Sequence, residues 1–306
     1  MDAQDGQIKR VKFLDFATFV ILFPQLIAGP IVLYREMDKQ FQSLRNGSGA
    51  GLSLFGLGVV TFVLGLFKKV VLADGIAPFA DSVFSAADRL TMLEAWGGVI
   101  AYTLQLYFDF SGYSDMAVGL GMMFGLLLPI NFNLPYRATS MIDFWKRWHI
   151  TMTRFFMMYL YSPIALSVMR KSILNDWSKQ KQFLLGVLAP IVITFLASGL
   201  WHGAAWTFVV FGAVNAVGLI VNHIWKERKL PKPHIFIGWL FTILTVMISF
   251  VYFRADNVAN ANIIVLIMID PAYFVFPNWL SHYADYLGIP WHTLTVFSSG
   301  TYTVRM

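Results

Sequence analysis

His202, in SGLWHGAAWTF, lies near the midpoint of 44 consecutive residues, Gln182–Trp225, that hold no Asp, Glu, Lys or Arg. An imidazole, with an ordinary pKa of about 6.5, can take or give a proton near neutral pH, so His202 is a candidate general base. Ser198, Gly199, Gly203, Ala204 and Ala205 leave room around it, as a tunnel or a close helix approach requires, and Trp201 and Trp206 flank it. A histidine hydrogen-bonded across two helices is the alternative. His149, in FWKRWHITMTRF, is the second candidate. Trp145, Trp148 and His149 would line a polar access route while Lys146, Arg147 and Arg154 hold an anionic group such as a phosphate. The same composition also fits a segment lying at the headgroup level, with His149 on its edge. His223 reads as interfacial, and His234, His282 and His292 are assigned no role. Cysteine is absent, which excludes disulfides, thiolate metal sites and thiol nucleophiles.

Asp109 and Asp115, in FDFSGYSD, fall where a hydrophobic run would otherwise continue. Carboxylates at membrane depth are costly, so a role is the default expectation. Six residues are about 600° of helical rotation, which puts the two acids on different faces of a continuous helix. Ser111-Gly112 predicts a break there instead, letting the acids face a cavity. A structural joint to neighbouring polar groups is the other reading. Metal-ligand spacing is missing, with no HExxH, no DxD and no paired histidines on one helix face, so no metal is expected. No phosphate-cradling glycine motif follows a strand.

These residues sit in a chain of 306 residues that is 57% hydrophobic and only 13% charged, about half the share of a soluble domain. Spans of roughly 20 apolar residues are the natural unit. The gaps between charges predict an all-α, multi-pass membrane protein with roughly seven to nine transmembrane or re-entrant helices in one domain, 1–306. Phe16–Tyr34, interrupted by Pro24 and Gly29-Pro30, reads as kinked or re-entrant; Asn46–Phe67, closed by Lys68-Lys69, as a simple span. Ala95–Phe108, Met116–Tyr136, Phe155–Met169, two spans within Gln182–Trp225, Ile235–Phe253 and Ile263–Phe276 follow. The tail, 277–306, lies outside the hydrocarbon on this reading. The net charge of +6 sits in short loop clusters, which marks cytoplasm-facing loops at Arg170–Lys181 and Lys226–Lys232 and not a nucleic-acid surface.

Taken in order, FPQLIAGPI (Phe23–Ile31), FDFSGYSDMAVGLG (Phe108–Gly121), NFNLPY (Asn131–Tyr136), FWKRWHIT (Phe144–Thr151), LYSPIAL (Leu160–Leu166) and GLWHGAAWTFVVFGAVNA (Gly199–Ala216) closely resemble the membrane-bound O-acyltransferase family. The likeness is strongest to its bacterial branch of alginate O-acetylation and teichoic-acid D-alanylation proteins. It covers roughly Leu14 to Asn257, ending in VYFRADN.

The resemblance implies an inner-membrane enzyme that moves an acyl group, acetyl from acetyl-CoA, toward an exported polysaccharide or a partner such as an SGNH-type acetyltransferase. It has membrane lipid around it and no bound cofactor. The family's catalytic histidine falls on His202 and its second implicated histidine on His149. Asp109, Ser111, Asp115, Trp145, Arg147, Trp148 and Trp201 are the expected substrate-binding residues. Two departures stand out. The FPQLIAGP block begins within the first 25 residues, so the family's N-terminal helices are expected to be missing, and MYLYSPIALSV (Met158–Val168) replaces a glycine-containing family run. A non-catalytic scaffold or acyl conduit, including an inactive short form, and a lipid O-acyltransferase are the competing readings.

Overall fold

The computed structural model describes residues 13–22, 29–47, 51–275 and 286. Among them every regular element is helical and none is a strand. The helices are α1 (Phe13–Val20), α2 (Tyr34–Arg45), α3 (Leu52–Ser85), α4 (Met92–Met123), α5 (Met141–Trp145), α6 (150–174), α7 (Lys179–His202), α8 (Trp206–Glu227), α9 (Ile235–Arg254) and α10 (Val258–Ile269). Four of them, α3, α7, α8 and α9, are long and apolar enough to cross a bilayer. Contiguous π-helical turns at Lys68–Ala73, Met157–Tyr161 and Leu184–Leu188 widen α3, α6 and α7 without ending them.

Two compact units interleave along the chain. One gathers Met1–Ala73, Tyr107–Pro135 and Trp145–Phe155; the other gathers Asp74–Leu106, Tyr136–Phe144 and Phe156–Met306. In the first, α2 is amphipathic: Tyr34, Met37 and Phe41 recur at helical spacing and are buried. Met37 and Phe41 join Val32, Val118, Leu126 and Leu128 in an apolar cluster. Gln40 clamps that cluster's rim, its Nε2 donating to the Leu127 carbonyl at 3.1 Å and its Oε1 accepting from the Leu127 N–H at 2.7 Å.

Between Leu52 and Phe67, α3 buries only Gly58 and Gly65. A Cβ on Gly58 would sit 2.7 Å from the Gly119 carbonyl oxygen, and one on Gly65 would sit 2.5 Å from that of Gly112. The two helices therefore run antiparallel, backbone against backbone, along a stripe of glycines, while the other residues of Leu52–Phe67 stay partly or fully exposed. This packing explains two differences from the sequence expectation. The helix α4 runs unbroken through Ser111-Gly112, because Gly112 is a contact glycine and not a hinge. Likewise α3 continues past Lys68-Lys69, because both lysines find acidic partners and need no headgroup layer.

In the second unit, α7 and α8 form a hairpin turned by Gly203-Ala204-Ala205, in keeping with the uncharged 44-residue run. Its crossing is again set by glycine: a Cβ on Gly199 would press on the Phe208 carbonyl, and one on Gly212 on that of Phe195. α9 matches its expected span. α10 starts on an Asn257 cap, whose side chain accepts from the Asn260 N–H at 2.9 Å, and stops before Asp270. The predicted re-entrant stretch is only partly visible: α1 ends at Val20, α2 begins at Tyr34, and 23–28 lie outside the described residues, as does the tail apart from Tyr286.

Candidate functional site

His202 is the last residue of α7, half-buried in the second unit. Aromatic rings enclose it. Trp201 and Phe253 each lie 5.0 Å away centroid to centroid, Phe211 5.9 Å and Phe208 6.2 Å. Phe253 and Phe211 meet the imidazole edge to face, at 81° and 88°. Among the described residues no hydrogen bond ties the ring nitrogens, so both remain available to a ligand. Beside it Trp201 and Trp206 are exposed, at 57% and 77%. The alternative of a histidine hydrogen-bonded across helices does not describe this environment.

His149 is held in the opposite manner, in the first unit. It is buried and takes a left-handed backbone conformation with φ 43°, uncommon for a residue with a side chain and stored only where the surroundings enforce it. Its Nδ1 lies 3.1 Å from Asn131 Oδ1. That oxygen also accepts from the Thr151 N–H at 3.2 Å and the Thr151 hydroxyl at 2.9 Å. The backbone repeats the link, with the Ile150 N–H donating to the Asn131 carbonyl and the Asn133 N–H to that of Arg147, both at 2.9 Å. Phe110 meets the imidazole edge-on at 4.7 Å.

The tryptophans and His149 of this aromatic and basic segment are packed inside the first unit, while Lys146 is exposed. Trp145 and Trp148 are each only 5% exposed, and Trp148 packs against Phe132 at 5.1 Å and Tyr107 at 6.3 Å. Arg154 is not set to bind an external anion: its Nη1 and Nη2 grip both oxygens of Glu36, at 2.7 and 2.9 Å. Arg147 donates to the Asn133 carbonyl at 3.4 Å, closing its own loop.

Asp109 and Asp115 pair with Lys69 and Lys68, at 2.6 and 2.5 Å, across the glycine stripe of α3 and α4. All four side chains are roughly a third to a half exposed, and the pairs tie the two helices together across the glycine stripe. Ser111, between the two acids, is buried, and its hydroxyl has no hydrogen-bond partner among the described residues. No group of acids and histidines suited to a metal occurs among the described residues.

Sequence reasoning misses Asn131, Thr151 and Glu36. The NFN run stands out as a motif, but a side chain that meets a histidine 18 positions later leaves no periodic trace. Lys68 and Lys69 read as the end of a span; the available signal of their real role is a pair of lysines matched by a pair of acids in the next hydrophobic run.

Described residues that are helical wherever they are regular, with long apolar spans and glycine-packed helix pairs, are those of a membrane protein. The chain belongs to the membrane-bound O-acyltransferase family, whose sequence profile matches residues 1–265. It is 43% identical over 253 residues to the peptidoglycan O-acetyltransferase of Helicobacter pylori, covering 81% of this chain and 45% of that protein. A probable alginate O-acetylase of Azotobacter vinelandii is 41% identical over 244 residues, 80% of this chain and 45% of that one. The teichoic acid D-alanyltransferase of Streptococcus thermophilus is 26% identical over 273 residues, 83% and 64% respectively. The chain spans about half the length of the first two relatives.

Proposed function

We propose that the protein is an O-acyltransferase of the bacterial inner membrane that moves an acetyl group from acetyl-CoA to a hydroxyl of an exported polysaccharide. The observation that carries this reading is His202: an imidazole at a helix end, walled by four aromatic rings, with neither ring nitrogen engaged among the described residues. The names of the relatives supply the class of acceptor, a cell-envelope or secreted glycan. In the proposed step the acceptor oxygen attacks the thioester carbonyl carbon while His202 takes the hydroxyl proton. The carbon–oxygen bond forms, the carbon–sulfur bond breaks, and the same proton passes to the departing thiolate. General base catalysis of this kind contributes about 10²–10⁴-fold, and positioning supplies much of the rest. His149 acts as a second functional histidine, and the exposed Trp201 offers a stacking face to the acceptor sugar.

Membranes carrying the protein, given labelled acetyl-CoA and the host's surface polysaccharide, should transfer label to the glycan. His202→Ala should lower the rate by at least about 10²-fold. Transfer that survives this substitution and instead requires a partner acetyltransferase would replace the enzyme reading with that of an acyl conduit. Label appearing in lipid would move the acceptor to a lipid hydroxyl.

A further inference from the structure

Asn131 Oδ1 faces the backbone N–H of Thr151 at 3.2 Å. An N–H can only donate, so the amide is oriented with its oxygen toward this group; the flipped amide would set donor against donor. The Thr151 hydroxyl is also fixed. Its oxygen accepts from the Ile31 N–H at 2.9 Å, and its proton is given to Asn131 Oδ1, likewise at 2.9 Å. The third neighbour of this oxygen is His149 Nδ1, at 3.1 Å. Since Oδ1 can only accept, Nδ1 must carry the hydrogen, and the neutral imidazole keeps its lone pair on Nε2. Asn131 is 2% exposed and His149 4%, so bulk water does not compete for the bond. The left-handed φ of 43° at His149 and the Ile150 N–H to Asn131 carbonyl bond hold the ring's backbone against the same asparagine.

We propose that Asn131 is a positioning residue that locks His149 in the Nδ1–H tautomer, so that Nε2 is the nitrogen that accepts a proton. The inference deepens the reading of His149 as a functional histidine and rests on it for its catalytic meaning. An amide is suited to this task in a way a carboxylate is not. It fixes the tautomer and stabilises the imidazolium through one hydrogen bond, yet it cannot itself take up the Nδ1 proton. A proton accepted at Nε2 therefore leaves by Nε2. The Nδ1 edge of the ring is closed by Asn131, and its face is met by Phe110.

The test is a direct measurement of the tautomer in the full chain. The protein is labelled with ¹⁵N-histidine in nanodiscs, and the His149 resonances are assigned by their loss in His149→Gln. Above the titration range the wild type should show Nδ1–H as the dominant neutral form, and Asn131→Asp, which still offers an acceptor, should keep it. Asn131→Ala should shift the ratio toward Nε2–H by at least about five-fold, the factor set by a net hydrogen bond of about 1 kcal/mol. A wild type in the Nε2–H form, or a ratio unmoved in Asn131→Ala, overturns the proposal; the wild-type spectrum decides the matter if the alanine variant does not fold. In the transfer assay, Asn131→Ala should lower kcat with little change in KM, and Asn131→Asp should restore part of it. Transfer undiminished in His149→Gln would remove the catalytic reading of His149, while the tautomer measurement would still decide separately what Asn131 does.

Discussion

Gly199 allows the packing around His202 to be tested against a control in the same helix. A Cβ at Gly199 would press into the Phe208 carbonyl oxygen and stand 3.0 Å from the carbonyl carbon. At Gly186, also in α7, the nearest atom to a new Cβ is Val168 Cγ1 at 3.9 Å, an ordinary contact. Alanine is worth about 0.5–1 kcal/mol more than glycine inside a helix, and this gain is common to Gly199→Ala and Gly186→Ala. It cancels when the two are compared. What remains is the cost of forcing two backbones apart, about 1–3 kcal/mol, or a factor of roughly 5 to 150 in the unfolding equilibrium. Denaturant titration of the purified protein in micelles should show this gap. Phe208 belongs to the wall around His202, so its displacement should also be felt in transfer. A misplacement of about 1 Å can cost on the order of 10²-fold in rate. Gly199→Ala should lose activity on that scale while Gly186→Ala keeps it. Equal stability and equal transfer in the two variants would refute the claim that the glycine crossing sets the geometry around His202.

Two further predictions concern the framework. The Arg154–Glu36 pair is bidentate but about a third exposed on both sides, so a double-mutant cycle with Arg154→Ala and Glu36→Ala should return a coupling of only about 0.5–1 kcal/mol; a value several times larger would mean that the pair is far drier than its exposure indicates. Asn257→Ala removes the acceptor for the Asn260 N–H and should cost about 1 kcal/mol in denaturant titration, with Asn257→Asp close to wild type.

The spans are legible in the sequence because hydrophobic runs and helix ends leave a local mark. Gln182–Trp225 divides at Gly203, and the helix of Ile235–Phe253 forms almost at its expected limits. Expectation and structure part where a long-range partner overrides that mark. Lys68-Lys69 looks like a span end until Asp115 and Asp109 arrive from a helix about forty residues further on. Ser111-Gly112 looks like a break until Gly65 is seen to need the missing Cβ. The tryptophans of 144–151 look interfacial because aromatic and basic residues alternate there, but Phe132 and Tyr107 bury Trp148, and Glu36 claims Arg154. His202 stands out from its local setting alone. The means by which His149 is held are hidden, because neither Asn131 nor a left-handed backbone has a signature in the local pattern.

The two histidines are held in ways that suit different tasks. The ring of His202 touches other rings, which fix its position without choosing a tautomer or occupying a nitrogen. In the proposed step, where His202 takes a proton from a hydroxyl and hands it to a thiolate, that freedom is an advantage, because its hydrogen bonds are then made to the reactants and not to the protein. His149 has the reverse design, with one nitrogen committed to Asn131 and a backbone angle enforced by the same contact. At 202 a substitution such as His202→Leu removes the proton acceptor and leaves no protein group short of a partner, whereas at 149 a side chain that fails to donate to Asn131 deprives a buried oxygen of one of its donors. Because the Thr151 N–H and hydroxyl still donate to that oxygen, the loss is that of one net hydrogen bond, about 0.5–1.5 kcal/mol. His149→Leu should therefore lower stability as well as activity, and His202→Leu, with only aromatic neighbours to satisfy, should lower activity alone.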